Sequence, residues 1–314
     1  MVLPENRRLK NAANESIMRS ACDAGKLVLF HTAVMLVLSL AALAVDFALE
    51  QGIGNTGGLS GVGMRSVLET VQTLLWQAQS IALPFWNIGW LYAAVKIARG
   101  ETAEKKDLLE GFRRFFGFLR LTILKELIFF GLAFGAAYAA AFVAMMLPVS
   151  GTGMNLMNSN LTEAELLAML EKMMIPLAVI SGVLTLAICV PFSYRFRMAE
   201  YFLLDNPQLG ARAALRGSRN LMRGNMWKMM RLDLSFWWFW LLTAVVSALG
   251  WAGVILPFVG IAWPWTAEIG YLIAYLLAAV AQLVLYYFYK AKVDVTYAHA
   301  YLSLTEEEES YESH

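Results

Sequence analysis

The stretch "DLLEGFRRFFGFLRLTILKELIFF", residues 107–130, passes without a break from a basic amphipathic segment into an apolar one. Leu108, Leu109, Phe112, Phe115, Phe116 and Leu119 share one face at helical spacing, and the basic residues border that face. A helix of this kind lies in the boundary between headgroups and acyl chains. The apolar residues beyond Lys125 and Glu126 then read as a helix that leaves the interface and crosses the bilayer.

The same order recurs in "AALRGSRNLMRGNMWKMMRLDLSFW", 213–237. Gly111 matches Gly217, Arg113 matches Arg219, Lys125 matches Arg231 and Glu126 lies near Asp233, at separations of 106 or 107. Upstream, "LPFW" at 83–86 and "VPFS" at 190–193 keep the separation of 107. The repeated unit is therefore a basic interfacial helix, a span going out and a span coming back. A fainter third copy begins at "SIMRSACDAGK", 16–26. Parallel repeats of this kind occur in transporters and also arise by plain duplication.

Composition agrees with a membrane-embedded chain. Apolar residues make up 59% of the 314 positions, above the roughly 45–50% of soluble domains, and mean hydropathy is +0.56. A hydrocarbon core about 30 Å thick needs about 20 apolar residues per helix. Six runs qualify: about 27–49, 67–97, 119–147, 175–194, 230–250 and 266–289. The fold class expected is thus all-α, a polytopic membrane protein with six transmembrane helices. It forms one membrane domain over 1–301, built from two or three repeats and followed by an acidic disordered tail, 302–314. The second run is long enough to bend at Pro84 or to leave the membrane as an ordinary helix. "GWAGVILPFVGIAWPW", 250–265, reads first as an interfacial loop, with a re-entrant segment or part of a longer span as alternatives.

Net charge is only +1, so placement carries the information. Of the 25 Lys and Arg, only Arg65 and Lys172 fall in the first, third and fifth connections; the rest lie in the N-terminal arm, the second and fourth connections with their flanks, and the C-terminal end. By the positive-inside rule both termini are expected to be cytoplasmic.

Within the fourth connection Arg212, Arg216, Arg219 and Arg223 follow steps of 4, 3 and 4, forming one stripe of a helix opposite Ala214, Gly217 and Leu221. Asn206-Pro207 suits its start and Gly224 its stop. The stripe fits contact with anionic lipid headgroups or a partner's acidic surface; it also serves simply to hold the loop inside. In the second run Glu69, Gln72, Gln79 and Asn87, with Trp76 among them, share a face if the helix survives Pro84. That is either a polar seam for a substrate or ion, or hydrogen-bonding glue between helices. His31 and Asp46 in the first run read as structural.

Other patterns carry no chemistry. Cys22 and Cys189 give neither a disulfide framework nor metal spacing, and the three His do not make a zinc pair. "GIGNTG", 52–57, follows a span instead of a strand and reads as a loop. "LTEAELLAMLEKMM", 161–174, starts with a capping box at Thr162 and Glu165 and leads into the fourth run. No cofactor, metal, nucleic acid or enzymatic activity is expected.

The passage "CVPFSYRFRMAEYFLLDNPQLGARAALRGSRNLMRGNMWKMMRLDLSFW", 189–237, resembles the bacterial integral-membrane family catalogued as domain of unknown function 975. A proline near the end of a span, the Asp205-Asn206-Pro207 turn, "ALRGSRNLMRGN" and the Leu-Asp-Leu-Ser-Phe entry to the next span carry that resemblance. It is also distantly similar to the membrane part of some glycerophosphodiester phosphodiesterases, which implies a lipid connection without catalytic residues here. The long glycine-rich first loop and the tryptophan-rich fifth span depart from the family pattern. The expected role is a non-enzymatic membrane-organising protein that binds lipids or a protein partner, a second copy included. The alternative is a transporter or permease component using the polar seam.

Overall fold

A computed structural model of the chain describes residues 3–20, 23–52, 59–146, 163–250 and 267–312, and among these the regular structure is entirely helical. In order come α1 (Asn6–Arg19), α2 (Ala24–Gly52), α3 (Leu59–Ala98), a 3-10 turn (Lys105–Leu109) running into α4 (Glu110–Arg113), and α5 (Phe115–Met146). Then follow α6 (Glu163–Phe196), α7 (Ala199–Asp205), α8 (Ala211–Leu221), α9 (Met226–Leu234) and α10 (Trp237–Gly250). Last are α11 (Ala267–Leu285), a π-helical turn (Tyr286–Lys290) and α12 (Ala291–Glu312).

Among the described residues four helices are long and apolar enough to cross a membrane: Ala24–Ala42, Glu69–Ala98, Ala178–Asp205 and Ile273–Glu306. A fifth arises when α9 and α10, bent by 60°, count as one broken span. Exposed Ile123, Leu127, Phe130, Phe134 and Tyr138 run along one side of α5, and Val179, Val183, Leu186 and Val190 along one side of α6. Water would penalise such continuous apolar stripes; acyl chains solvate them. The chain is a membrane protein.

Pro84 lies inside α3, and Leu59–Ala98 runs as one helix, the ordinary-helix alternative for the second run. Two sequence expectations change. The fifth run, expected whole, breaks between Leu234 and Trp237. The acidic end, expected to be disordered from 302, continues α12 through Glu312. A helix already nucleated upstream extends cheaply, and glutamates are good helix formers. The fold contains two compact units, Met1–Phe118 with Trp227–His314, and Leu119–Met226. The readings of 250–265, of "GIGNTG" beyond Gly52, and of the Thr162 capping box lie outside the described residues, as does the side chain of Asp46.

In the first unit, α1 packs against α12 and α3. Its polar side chains reach the α9–α10 bend. Asn6 Nδ2 donates to the Arg231 carbonyl at 3.1 Å and Lys10 Nζ to the Ser235 carbonyl at 2.9 Å. Lys10 also lies 4.0 Å from the Phe236 ring centre. Ser16 and His299 meet at 2.9 Å, and the Tyr297 hydroxyl donates to Asp233 at 2.6 Å. The N-terminal helix is therefore a tie between the bend and α12. Asp23 starts α2 by accepting from the Lys26 backbone N–H at 3.1 Å. Across the unit, the turn 105–109 and α4 lie directly on the backbone of α3, an approach made at Gly89 and Gly111.

In the second unit, α8 folds back on the end of the preceding long helix, as the 3-10 turn and α4 do in the first. Buried Ser218 bridges the α6–α7 break, donating to the Arg195 carbonyl at 2.8 Å and accepting from the Met198 N–H at 3.2 Å. Gly217 faces the Phe202 ring with no room for a Cβ. Lys125 of α5 pairs with Glu200 of α7 at 2.7 Å.

Candidate functional site

The first unit holds a cavity of about 950 Å³. From α2 it is lined by His31, Thr32, Met35, Leu36, Ser39 and Ala42, which fall on one helical face. Trp76, Gln79, Leu83, Asn87, Trp90 and Leu91 line it from α3, and Val246, Ser247 and Gly250 from α10. The α11–α12 helix adds Tyr275, Ala278, Ala279, Gln282 and Leu283, then Tyr286, Lys290 and Asp294 across the π-helical turn. π-helical turns are rare inside helices and often mark functional sites.

Polar chemistry gathers at the end built by His31, Asn87, Trp90, Lys290 and Asp294. Lys290 and Asp294 form an ion pair of 3.0 Å, with side chains 19% and 17% exposed. Asp294 also accepts from Trp90 Nε1 at 2.6 Å, and Lys290 sits 5.3 Å from the centre of the Tyr286 ring. His31 stacks on Trp86 with ring centres 5.6 Å apart, and Trp86 Nε1 donates to the His31 carbonyl at 3.1 Å. His31 is 2% exposed and its ring is hydrogen-bonded to the Asn87 side chain, yet its Nδ1 has no hydrogen-bond partner among the described residues. A buried polar atom left unpaired is costly and calls for an explanation.

The four residues of the sequence seam separate. Gln79 and Asn87 line the cavity; Glu69 and Gln72 do not. Gln79 donates its amide to the Leu38 carbonyl, holding α3 to α2, which is the gluing role. Asn87 is exposed to the cavity space, whereas Glu69 is exposed on the outer part of α3 and Gln72 is half-buried there. Sequence reasoning missed Lys290, Asp294 and Trp90, and set His31 aside. The signal was present in the Lys290/Asp294 spacing of four that follows an aromatic run, but Lys290 was read only as a retained charge.

In the second unit Arg212, Arg216 and Arg219 are exposed along α8 and Arg223 in the turn after it, while Ala214, Leu215, Ser218 and Leu221 are buried. None of the four forms an ion pair among the described residues. By contrast Arg113 and Arg114 in the first unit both bind Glu110, at 3.2 and 2.8 Å. Among the described residues no three His, Cys, Asp or Glu side chains come together as a metal-ligand set.

No curated protein and no solved structure matches this sequence. The family described as protein of unknown function (DUF975) matches over residues 10–308, nearly the whole length, and the chain belongs to that family.

Proposed function

We propose that this protein binds a small amphipathic molecule inside the membrane, in the cavity of its first unit, as a transporter or permease component without enzymatic chemistry. The observation that carries this reading is the meeting of a buried, unpartnered His31 Nδ1 with the Lys290–Asp294 pair at one end of a 950 Å³ space. Cavities with apolar walls and a few convergent polar groups are the usual form of small-molecule sites. In this reading six spans cross a cytoplasmic membrane, both termini are cytoplasmic, and the helices repeat from a duplicated unit. The placement of Lys and Arg supports the orientation, and the fold-back of short helices onto the preceding long helix supports the duplication. The test is native mass spectrometry of the purified protein. A co-purified amphiphile retained by the wild type and lost from Ala279→Trp, which fills the cavity, is the expected result; retention by both excludes the cavity as its site.

A second reading rests on α8. Its exposed arginine stripe, backed by a buried apolar side, suits anionic phospholipid headgroups at the cytoplasmic face. Replacing Arg212, Arg216, Arg219 and Arg223 with glutamine then reduces the anionic lipid carried through purification from mixed-lipid membranes. An unchanged lipid complement would leave the stripe with the sole task of retaining the loop.

A further inference from the structure

The cavity is a slot, and its two ends differ. Its lining runs from His31 to Ala42 along α2, roughly 16 Å at the rise of an α-helix. Beyond Thr32, apolar walls dominate, supplied by Met35, Leu36, Leu83, Val246 and Leu283. An elongated space with a charged end and apolar walls has the polarity of a lipid.

The Lys290–Asp294 pair narrows the headgroup. It is largely buried and neutral as a pair, with Asp294 held further by Trp90. An anion drawing Lys290 away would leave the Asp294 carboxylate buried without its cation, and a cation on Asp294 would do the same to Lys290. Breaking a buried pair from one side is strongly unfavourable. A molecule carrying both charges avoids this, because its oxyanion replaces Asp294 at Lys290 while its ammonium replaces Lys290 at Asp294. The face of Tyr286 adds cation–π attraction for that ammonium. His31 Nδ1 remains for the headgroup's other polar atoms, with the imidazole positioned by the Asn87 side chain.

Building on the proposed ligand-binding role of this cavity, we infer that the slot takes a zwitterionic amphiphile, its ammonium on Asp294, its oxyanion on Lys290 and its acyl chain along α2 and α3. The shared chemistry, an ammonium joined to a phosphate ester, occurs in phosphoethanolamine lipids and in free phosphoethanolamine. The apolar length of the slot assigns the lipid.

The experiment is a native mass-spectrometry titration of the full-length protein in neutral detergent. The probes are lysophosphatidylethanolamine, lysophosphatidylglycerol and monoacylglycerol of one chain length, and phosphoethanolamine without a chain. The expected result is a preference of about tenfold for the zwitterionic lipid over the anionic and uncharged ones. The double variant Lys290→Met/Asp294→Asn, which leaves no unpaired buried charge, abolishes that preference while still binding all three lipids. Ala279→Trp reduces binding of every lipid. Equal affinity for all headgroups would overturn the zwitterion assignment and leave the cavity reading intact. Equally tight binding of phosphoethanolamine would overturn the lipid assignment. Lipid binding unchanged in Ala279→Trp would overturn the cavity reading itself.

Discussion

Gly89 and Gly111 meet where α3 and α4 touch backbone to backbone. A Cβ built on Gly111 would stand 3.2 Å from the Gly89 nitrogen and overlap the Phe85 carbonyl, and one built on Gly89 would overlap the Leu108 carbonyl. Backbone cannot yield as a flexible side chain does. Gly111→Ala and Gly89→Ala should therefore each lower stability by about 1–3 kcal/mol or more, read as a fall in thermal midpoint in detergent. Gly117→Ala, where a Cβ meets nothing within 4 Å, should leave the midpoint unchanged or raise it slightly.

Ser218 serves two backbone groups at once, the Arg195 carbonyl and the Met198 N–H, at a fully buried position. Ser218→Ala strands both groups at the α6–α7 break. The expected loss is about 1–3 kcal/mol in thermal or denaturant unfolding. A loss of only a few tenths would mean that water or a rearranged turn satisfies them.

These two contacts also mark how much the sequence discloses. The repeat pairs Gly111 with Gly217, and both prove to be places where a short helix presses on the preceding element. Long apolar runs pointed to the membrane, because burial in lipid demands them whatever their tertiary partners, and four described helices are long and apolar enough to cross it. The sequence left open whether the second run bends at Pro84; α3 continues through it, because neighbouring groups in a packed helix can compensate for a missing N–H. Nor could it foresee the bend at Ser235–Phe236, where Asn6 and Lys10, 225 residues away in the chain, donate to the Arg231 and Ser235 carbonyls. The cavity was half legible. Asn87 carried a signal as a polar residue on an apolar face, but Lys290, Asp294 and His31 come together only through the packing of α12 and α2 beside α3.

Asp23 gives a pH dependence outside the spans. Its carboxyl lies below the ordinary 3.8, chiefly because the Lys26 backbone N–H donates to the carboxylate, with the Lys26 ammonium assisting. A depressed folded-state pKa favours the fold at any pH above the unfolded value, and that contribution disappears as pH falls through the folded value. The thermal midpoint of Asp23→Ala should thus lie below that of the wild type by a constant margin from neutral pH down to about 4. The margin should narrow at lower pH; a margin independent of pH down to acid unfolding would deny the carboxylate its capping role.

Tyr297 and Asp233 tie α12 to the end of α9 through a 2.6 Å hydrogen bond. Tyr297→Phe keeps the ring against Phe236 but removes the donor. A decrease of about 1–2 kcal/mol is expected, together with faster amide exchange in α9. An unaltered exchange pattern would show that α1 alone holds the bend.

The most direct test of ligand binding in the first unit is a cryo-electron microscopy structure of the protein in lipid nanodiscs. We expect elongated non-protein density between α2, α3, α10 and α11, with its wider end within hydrogen-bond reach of Lys290, Asp294 and His31 Nδ1. A slot closed by its own side chains, with His31 Nδ1 paired inside the protein, would contradict it.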